Sequence, residues 1–178
     1  MFKYLIISLT LIELSLAETQ CGIKGPTLPL WRIIGGNDTK PLEYPWMAFL
    51  GCGGSIINEE WVMTAGHCAD PAFKGQFLLG VYDINRYGRN VSFESTALLV
   101  NASHTFRHPK YDPDPNGPDG GRPKYDISLI KLEEKLDFNG KQKHLRPICL
   151  PNSNTTIKDL IASQSVATCW GRTNSSSE

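Results

Sequence analysis

The residues best suited to chemistry lie in the stretch Thr64-Ala65-Gly66-His67-Cys68. An imidazole is the one side chain that takes up and returns a proton near neutral pH. His67 follows two small residues and precedes a cysteine that could pin it down, the fixed platform a general base needs. A second stretch, Tyr125-Asp126-Ile127-Ser128-Leu129-Ile130, sets a carboxylate against an apolar run. Burying an unpaired carboxylate is costly, so a buried Asp126 requires a partner, and His67 is the natural one. The alternative is an exposed aspartate at a strand start, with Tyr125 covering the apolar residues behind it. His104, His108 and His144 read as surface residues, and no pair of them has zinc-ligand spacing.

These two stretches need a scaffold that brings them together. From Pro45 onward short apolar runs alternate with turn residues, the pattern of an all-β barrel or sandwich. Strands are expected at Trp46 to Leu50, Ser55 to Ile57, Trp61 to Thr64, Phe77 to Tyr82, Val91 to Phe93, Ala97 to His104 and Ile127 to Leu132. Allowing for one weak member, that is roughly six strands, enough for one small antiparallel barrel. No solenoid repeat is visible, and no helix is expected beyond a turn or two. Between Tyr111 and Lys124 the prolines and glycines exclude a barrel strand, so a surface loop leads into Asp126. Its aspartates could ligate calcium, but they lack a fixed ligand spacing and read as a solvated loop.

The 178 residues suit one domain of ordinary size, and the 18 basic and 18 acidic residues balance. That balance gives no footprint for nucleic acid or for an anionic membrane. At the amino terminus Lys3, the apolar Tyr4 to Ile12 and Ser15-Leu16-Ala17 read as a secretory signal spanning 1–17. A membrane anchor is the alternative, but Glu13 cuts the apolar run short. Sequons at Asn37, Asn90, Asn101, Asn154 and Asn174 suit a secreted glycoprotein. So does the cysteine content, which at five leaves one without a partner. Residues 18–32 carry prolines and glycines without periodicity and read as an extended strap. That strap ends at the Arg32–Ile33 bond, which a protease preferring Arg or Lys would cut, though an arginine before two isoleucines could equally be an ordinary surface-to-strand transition.

Four segments occur in one order: Arg32-Ile33-Ile34-Gly35-Gly36, Gly51-Cys52-Gly53-Gly54-Ser55, the His67 stretch and the Asp126 stretch. Together they resemble the chymotrypsin-fold, trypsin-like serine proteases. The resemblance implies an all-β, double β-barrel peptidase domain over 33–178. Its first antiparallel barrel would be complete within 33–140, and a connector would follow at 141–163. The second barrel would begin at 164–178 and be truncated after about one strand. His67 would be the general base and Asp126 the carboxylate that orients it. Disulfides would join Cys52 to Cys68 and Cys21 to Cys149, leaving Cys169 unpaired. Residues 18–32 would be the activation (pro) segment, and cleavage at Arg32 by an activating protease would free Ile33.

The same resemblance implies serine-type endopeptidase activity by acyl transfer on protein or peptide substrates. Protein protease inhibitors are implied as further partners, with no nucleic acid, no membrane and no cofactor. Related trypsins often hold calcium near Gly80 to Tyr87, but Val81 stands where a glutamate ligand is usual, so no metal is expected. No Gly-Asp-Ser-Gly-Gly segment occurs, and Ser55 matches a structural position, so these 178 residues offer no candidate nucleophile and are expected to be inactive and prone to aggregate. The competing readings are a non-catalytic protease homologue and a secreted binding module.

Overall fold

In the computed structural model, residues 20–25, 39–84, 96–113, 116, 121–161 and 163–171 are described. The expected signal peptide, the Arg32–Ile33 bond, Asn37, Asn90, Asn174 and the Val91 to Phe93 strand lie outside them. Six strands form the frame: β1 (Met47–Phe49), β2 (Gly53–Ile56), β3 (Trp61–Thr64), β4 (Gln76–Leu79), β5 (Leu98–Arg107) and β6 (Ser128–Leu132). They close into an antiparallel barrel in the order β1-β2-β3-β6-β5-β4. Closure is made by β1 and β4, through Ala48 opposite Leu79 and Phe49 opposite Leu78.

Period-two alternation explains the interior. In β6 Ser128, Ile130 and Leu132 are buried while Leu129 and Lys131 are not, and in β3 Val62 and Thr64 point inward. With Trp46, Ala48, Ile56, Phe77 and Leu79 these residues fill the barrel. Leu136, Phe138 and Leu145, from the segment after β6, join the same core. Short turns join β1 to β2 and β2 to β3. Between β2 and β3, for instance, Asn58 Oδ1 accepts the Glu60 N–H at 2.9 Å.

Two elements depart from simple alternation. The strand expected at Ala97 to His104 runs on to Arg107, because the register with β6 slips between Ala102 and His104. The bulge at Ser103, whose hydroxyl donates to the Lys131 and Leu132 carbonyls at 3.1 Å, shifts the alternation by one residue. Thr105 is therefore buried and Phe106 is turned outward, 53% exposed. The strand expected where 164–178 begins the second barrel has no sheet ladder among the described residues, since a strand is defined by its partner. That segment lies against the barrel through other contacts. The Trp170 ring meets Phe49 edge-on at 5.3 Å, and its indole N–H donates to the Tyr82 carbonyl at 3.1 Å.

The one helix among the described residues is the single turn α1 (Ile157–Ile161), with no buried residue. A reciprocal cap accounts for it. The Thr156 N–H and hydroxyl donate to the Asp159 carboxylate at 2.8 and 2.7 Å, which holds that carboxyl below its ordinary value.

Candidate active site

β3 and β6 run antiparallel with Thr64 opposite Ser128. This register decides the site: the residues just after Thr64 and just before Ser128 leave the sheet at the same rim. His67 lies three positions beyond Thr64 and Asp126 two before Ser128, so the turn after β3 and the approach to β6 face each other. A part-buried and a buried hydrogen bond fix the two strand ends at this rim. The Thr64 hydroxyl donates to the Gly53 carbonyl at 2.8 Å, and the Ser128 hydroxyl donates to the Ala69 carbonyl at 2.7 Å. Sequence reasoning singled out neither hydroxyl. A polar residue on the inward face of an apolar strand is the signal that could have found Ser128.

Within this frame His67 Nδ1 meets Asp126 Oδ2 at 2.7 Å, and the His67 main-chain N–H donates to Oδ1 at 2.8 Å. Both carboxylate oxygens are thus engaged by one residue. The Asp126 side chain is 23% exposed and that of His67 55% exposed. Burial by itself would raise the Asp126 carboxyl's pKa. The His67 ring and main-chain hydrogen bonds, the imidazole charge and the Gly66 N–H outweigh it, and the carboxyl sits below its ordinary value.

The pH consequence has a definite sign. The folded-state pKa is the lower one, so the stabilisation is fully present above the ordinary carboxylate range of about 4 and fades as pH falls through the lowered value. Acid unfolding followed with and without Asp126→Asn is expected to show a stability difference that shrinks on acidification. A difference that grew instead would contradict this geometry.

Beside Asp126 an open cleft of about 430 Å³ is lined by Met47, Ser55, Thr64, Ile127 and Thr168 among others. The backbone entering it is strained. Tyr125 has φ 52°, a left-handed conformation that costs a bulky residue about 1–2 kcal/mol. The Ile127 N–H donates back to the Tyr125 carbonyl at 2.8 Å, so Asp126 is the centre of a three-residue turn.

The cysteines are bonded as Cys52–Cys68 and Cys21–Cys149, and Cys169 is free and exposed. Cys52–Cys68 ties the turn holding His67 to the segment between β1 and β2, across a sequence separation of 16. Replacing both by alanine is expected to lower unfolding stability by about 3 kcal/mol, the loop-closure entropy returned to the unfolded chain, as measured by urea denaturation. Cys52, His67 and Cys68 form a tight group of possible metal ligands, but disulfide bonding removes both thiolates.

Of the remaining sites, Asn101 and Asn154 are exposed. The Asn101 amide is engaged, accepting from Gln76 at 2.9 Å and donating to Glu133 at 2.8 Å. Two histidines read as surface residues are partly buried and engaged instead. His144 Nε2 lies 3.0 Å from the Thr96 carbonyl, and the His108 ring stacks on Tyr125 at 4.9 Å. Contacts between residues so far apart in the chain leave no local pattern to read.

A closed antiparallel barrel that sets an imidazole against a carboxylate at one rim, beside a disulfide, defines the chymotrypsin-fold class. Comparison with known proteins narrows this. The sequence model described as Trypsin matches residues 33–178, and the chain belongs to the trypsin family of serine proteases. It is similar to serine proteinase stubble of Drosophila melanogaster, with 31% identity over 89% of this chain and 20% of that protein. Similarity to coagulation factor IX of Cavia porcellus is 30% over 83% and 49% respectively. For the clotting factor G beta subunit of Tachypleus tridentatus it is 31% over 90% and 50%. A solved structure described as "Structure of GrC" superposes with a TM-score of 0.54 at 28% identity, covering 70% of this chain and 52% of the other. The chain thus spans half or less of the length of these curated relatives. No helix among the described residues is long and apolar enough to cross a membrane.

Proposed function

We propose that the protein is a serine endopeptidase made as a secreted zymogen. His67 acts as general base and then general acid, and Asp126 orients and stabilises its imidazolium. The observation that carries this reading is the 2.7 Å bond between His67 Nδ1 and Asp126 Oδ2. It commits Nδ1 to the carboxylate, so Nε2 is the nitrogen left to take a proton from a serine hydroxyl and return it to the leaving amine. The half-exposed ring is open to such a partner.

The reaction class is acyl transfer on a peptide or protein substrate, with no metal or cofactor. Because the sequence holds no Gly-Asp-Ser-Gly-Gly segment, the nucleophile, the oxyanion donors and the residues that select the side chain would come from outside these 178 residues. The chain alone should not turn over substrate. Protein inhibitors of such proteases are expected partners, and Asn37, Asn90, Asn101, Asn154 and Asn174 are proposed glycosylation sites.

Activation would cut Arg32–Ile33, and the Cys21–Cys149 bond supports a tether that survives the cut. Residues 20–25 are held both by that bond and by the Gly22 N–H, which donates to the Pro147 carbonyl at 2.8 Å. The test is limited tryptic digestion of the secreted protein. It should release a new amino terminus, Ile33-Ile34-Gly35-Gly36, while the pro-segment separates on a gel only after reduction. The activated complete protein should hydrolyse peptides, and His67→Ala should remove that activity. Release of the pro-segment without reduction would sink the tethered-zymogen reading, and an undiminished His67→Ala would sink the mechanism.

A further inference from the structure

We propose that His108 is a positioning residue for the His67–Asp126 pair, acting through a ring stack that holds Tyr125 in its left-handed conformation. The proposal deepens the reading of that pair as catalytic and rests on it.

Asp126 is aimed by the backbone immediately before it, because Tyr125 at φ 52° and the turn from its carbonyl to the Ile127 N–H set the direction of the Asp126 side chain. An aromatic residue does not adopt this conformation without something to hold it. Core packing does not supply the restraint, since Tyr125 is 54% exposed.

What does contact the ring is His108. The two planes are almost parallel, 6° apart, with centroids 4.9 Å from each other. The Lys110 ammonium also lies over the tyrosine, 5.8 Å from its centroid. His108 itself is anchored at both ends of the turn. Its N–H donates to the Ile127 carbonyl at 2.9 Å, and its Nδ1 accepts the Lys110 N–H at 3.1 Å. The imidazole is therefore tied by its own backbone to the residue after Asp126 and by its face to the residue before it. Behind it, paired main-chain bonds between Asp112 and Lys124, at 3.0 and 2.9 Å, close the base of the long loop.

Without the stack, Tyr125 is free to relax toward ordinary negative φ. Asp126 is the next residue, so such a rotation carries its carboxylate away from His67. The interaction is through Tyr125, with no contact between His108 and the reacting atoms required.

The test uses the complete secreted protein with its disulfides intact and the low-field proton resonance of the hydrogen bond between His67 Nδ1 and Asp126, with Asp126→Asn to assign it. Two substitutions separate the ring face from the hydrogen bond. His108→Phe keeps a flat ring and loses the acceptor for the Lys110 N–H, while His108→Asn keeps an acceptor and loses the ring.

The expected result is a resonance in the parent and in His108→Phe with similar solvent exchange. In His108→Asn it should be lost, or exchange about tenfold faster, while the chain stays folded by its amide spectrum. A merely structural role would move the melting midpoint and leave the resonance intact in folded molecules. An unchanged resonance in His108→Asn overturns the positioning role and leaves the pair standing. Loss in His108→Phe as well overturns it in favour of the Lys110 bond. Absence from the folded parent itself sinks the catalytic pair, and the positioning role with it. Should His108→Asn fail to fold, Tyr125→Ala removes the other ring and carries the same expectation and the same refutation.

Discussion

Asp126→Asn is expected to lower kcat of the complete protease on a peptide substrate by on the order of 10⁴-fold, the loss that a wrong histidine tautomer causes in proteases of this class. The local geometry explains why the smallest available change has so large an effect. Oδ1 of Asp126 accepts a main-chain N–H, which can only donate, and Oδ2 faces His67 Nδ1. In asparagine one of these two positions becomes an NH2 group. The main-chain N–H requires the oxygen to stay opposite it, so the NH2 must turn to His67 and donate to Nδ1. The ring proton then moves to Nε2, the nitrogen that has to accept the proton of the nucleophile. His67 would be held in place but facing substrate with its donor. In this chain the exchange is readable without turnover, since the two imidazole ¹⁵N shifts should swap roles in Asp126→Asn. If the variant kept more than about a tenth of the parent kcat, orientation and tautomer control by Asp126 would not be the source of its effect.

Phe77→Ala is expected to cost about 3–5 kcal/mol of unfolding free energy, a large part of what a domain of this size commonly has. Phe77 is 2% exposed, and its ring approaches Phe73 with centroids 6.5 Å apart. It sits in β4, which pairs with β1 to close the barrel and with β5 through Val100. Neighbours drawn from several strands cannot all move in to fill the vacated volume, so the cavity penalty adds to the lost burial. Urea denaturation with the disulfides intact measures it. Below its lowered melting midpoint the variant should retain the His67–Asp126 bond, because the rim is fixed separately by the Thr64 and Ser128 hydroxyls and by Cys52–Cys68. The two variants thus fail in opposite ways, one folded but inactive, the other much less stable yet competent while folded. A loss below about 1 kcal/mol in Phe77→Ala would mean that the barrel interior repacks freely.

Much of this molecule follows from the order of its residues alone. Short apolar runs between turn residues specify an antiparallel all-β unit, because period-two alternation suits only a surface with one face buried. Trp61-Val62-Met63-Thr64 forms the expected strand residue for residue. His67 and Asp126 are singled out in the sequence by their place among four segments that occur in one order, and Asp126 also by the cost of burying a carboxylate without a partner.

The tertiary structure decided what depends on partners distant in sequence. The alternation in β5 fails at Ser103, since a bulge is set by the strand opposite it, and no local pattern reveals that Phe106 will face outward. Gln164 to Gly171 has strand-like composition but no ladder among the described residues, since backbone pairing requires a second strand. Only the pairing of Thr64 with Ser128 brings His67 and Asp126, 59 positions apart in the chain, to 2.7 Å. The stack of His108 on Tyr125 is of the same kind. Residue types and spacing state which groups could do chemistry, whereas register and ring geometry, fixed by long-range packing, decide whether those groups meet.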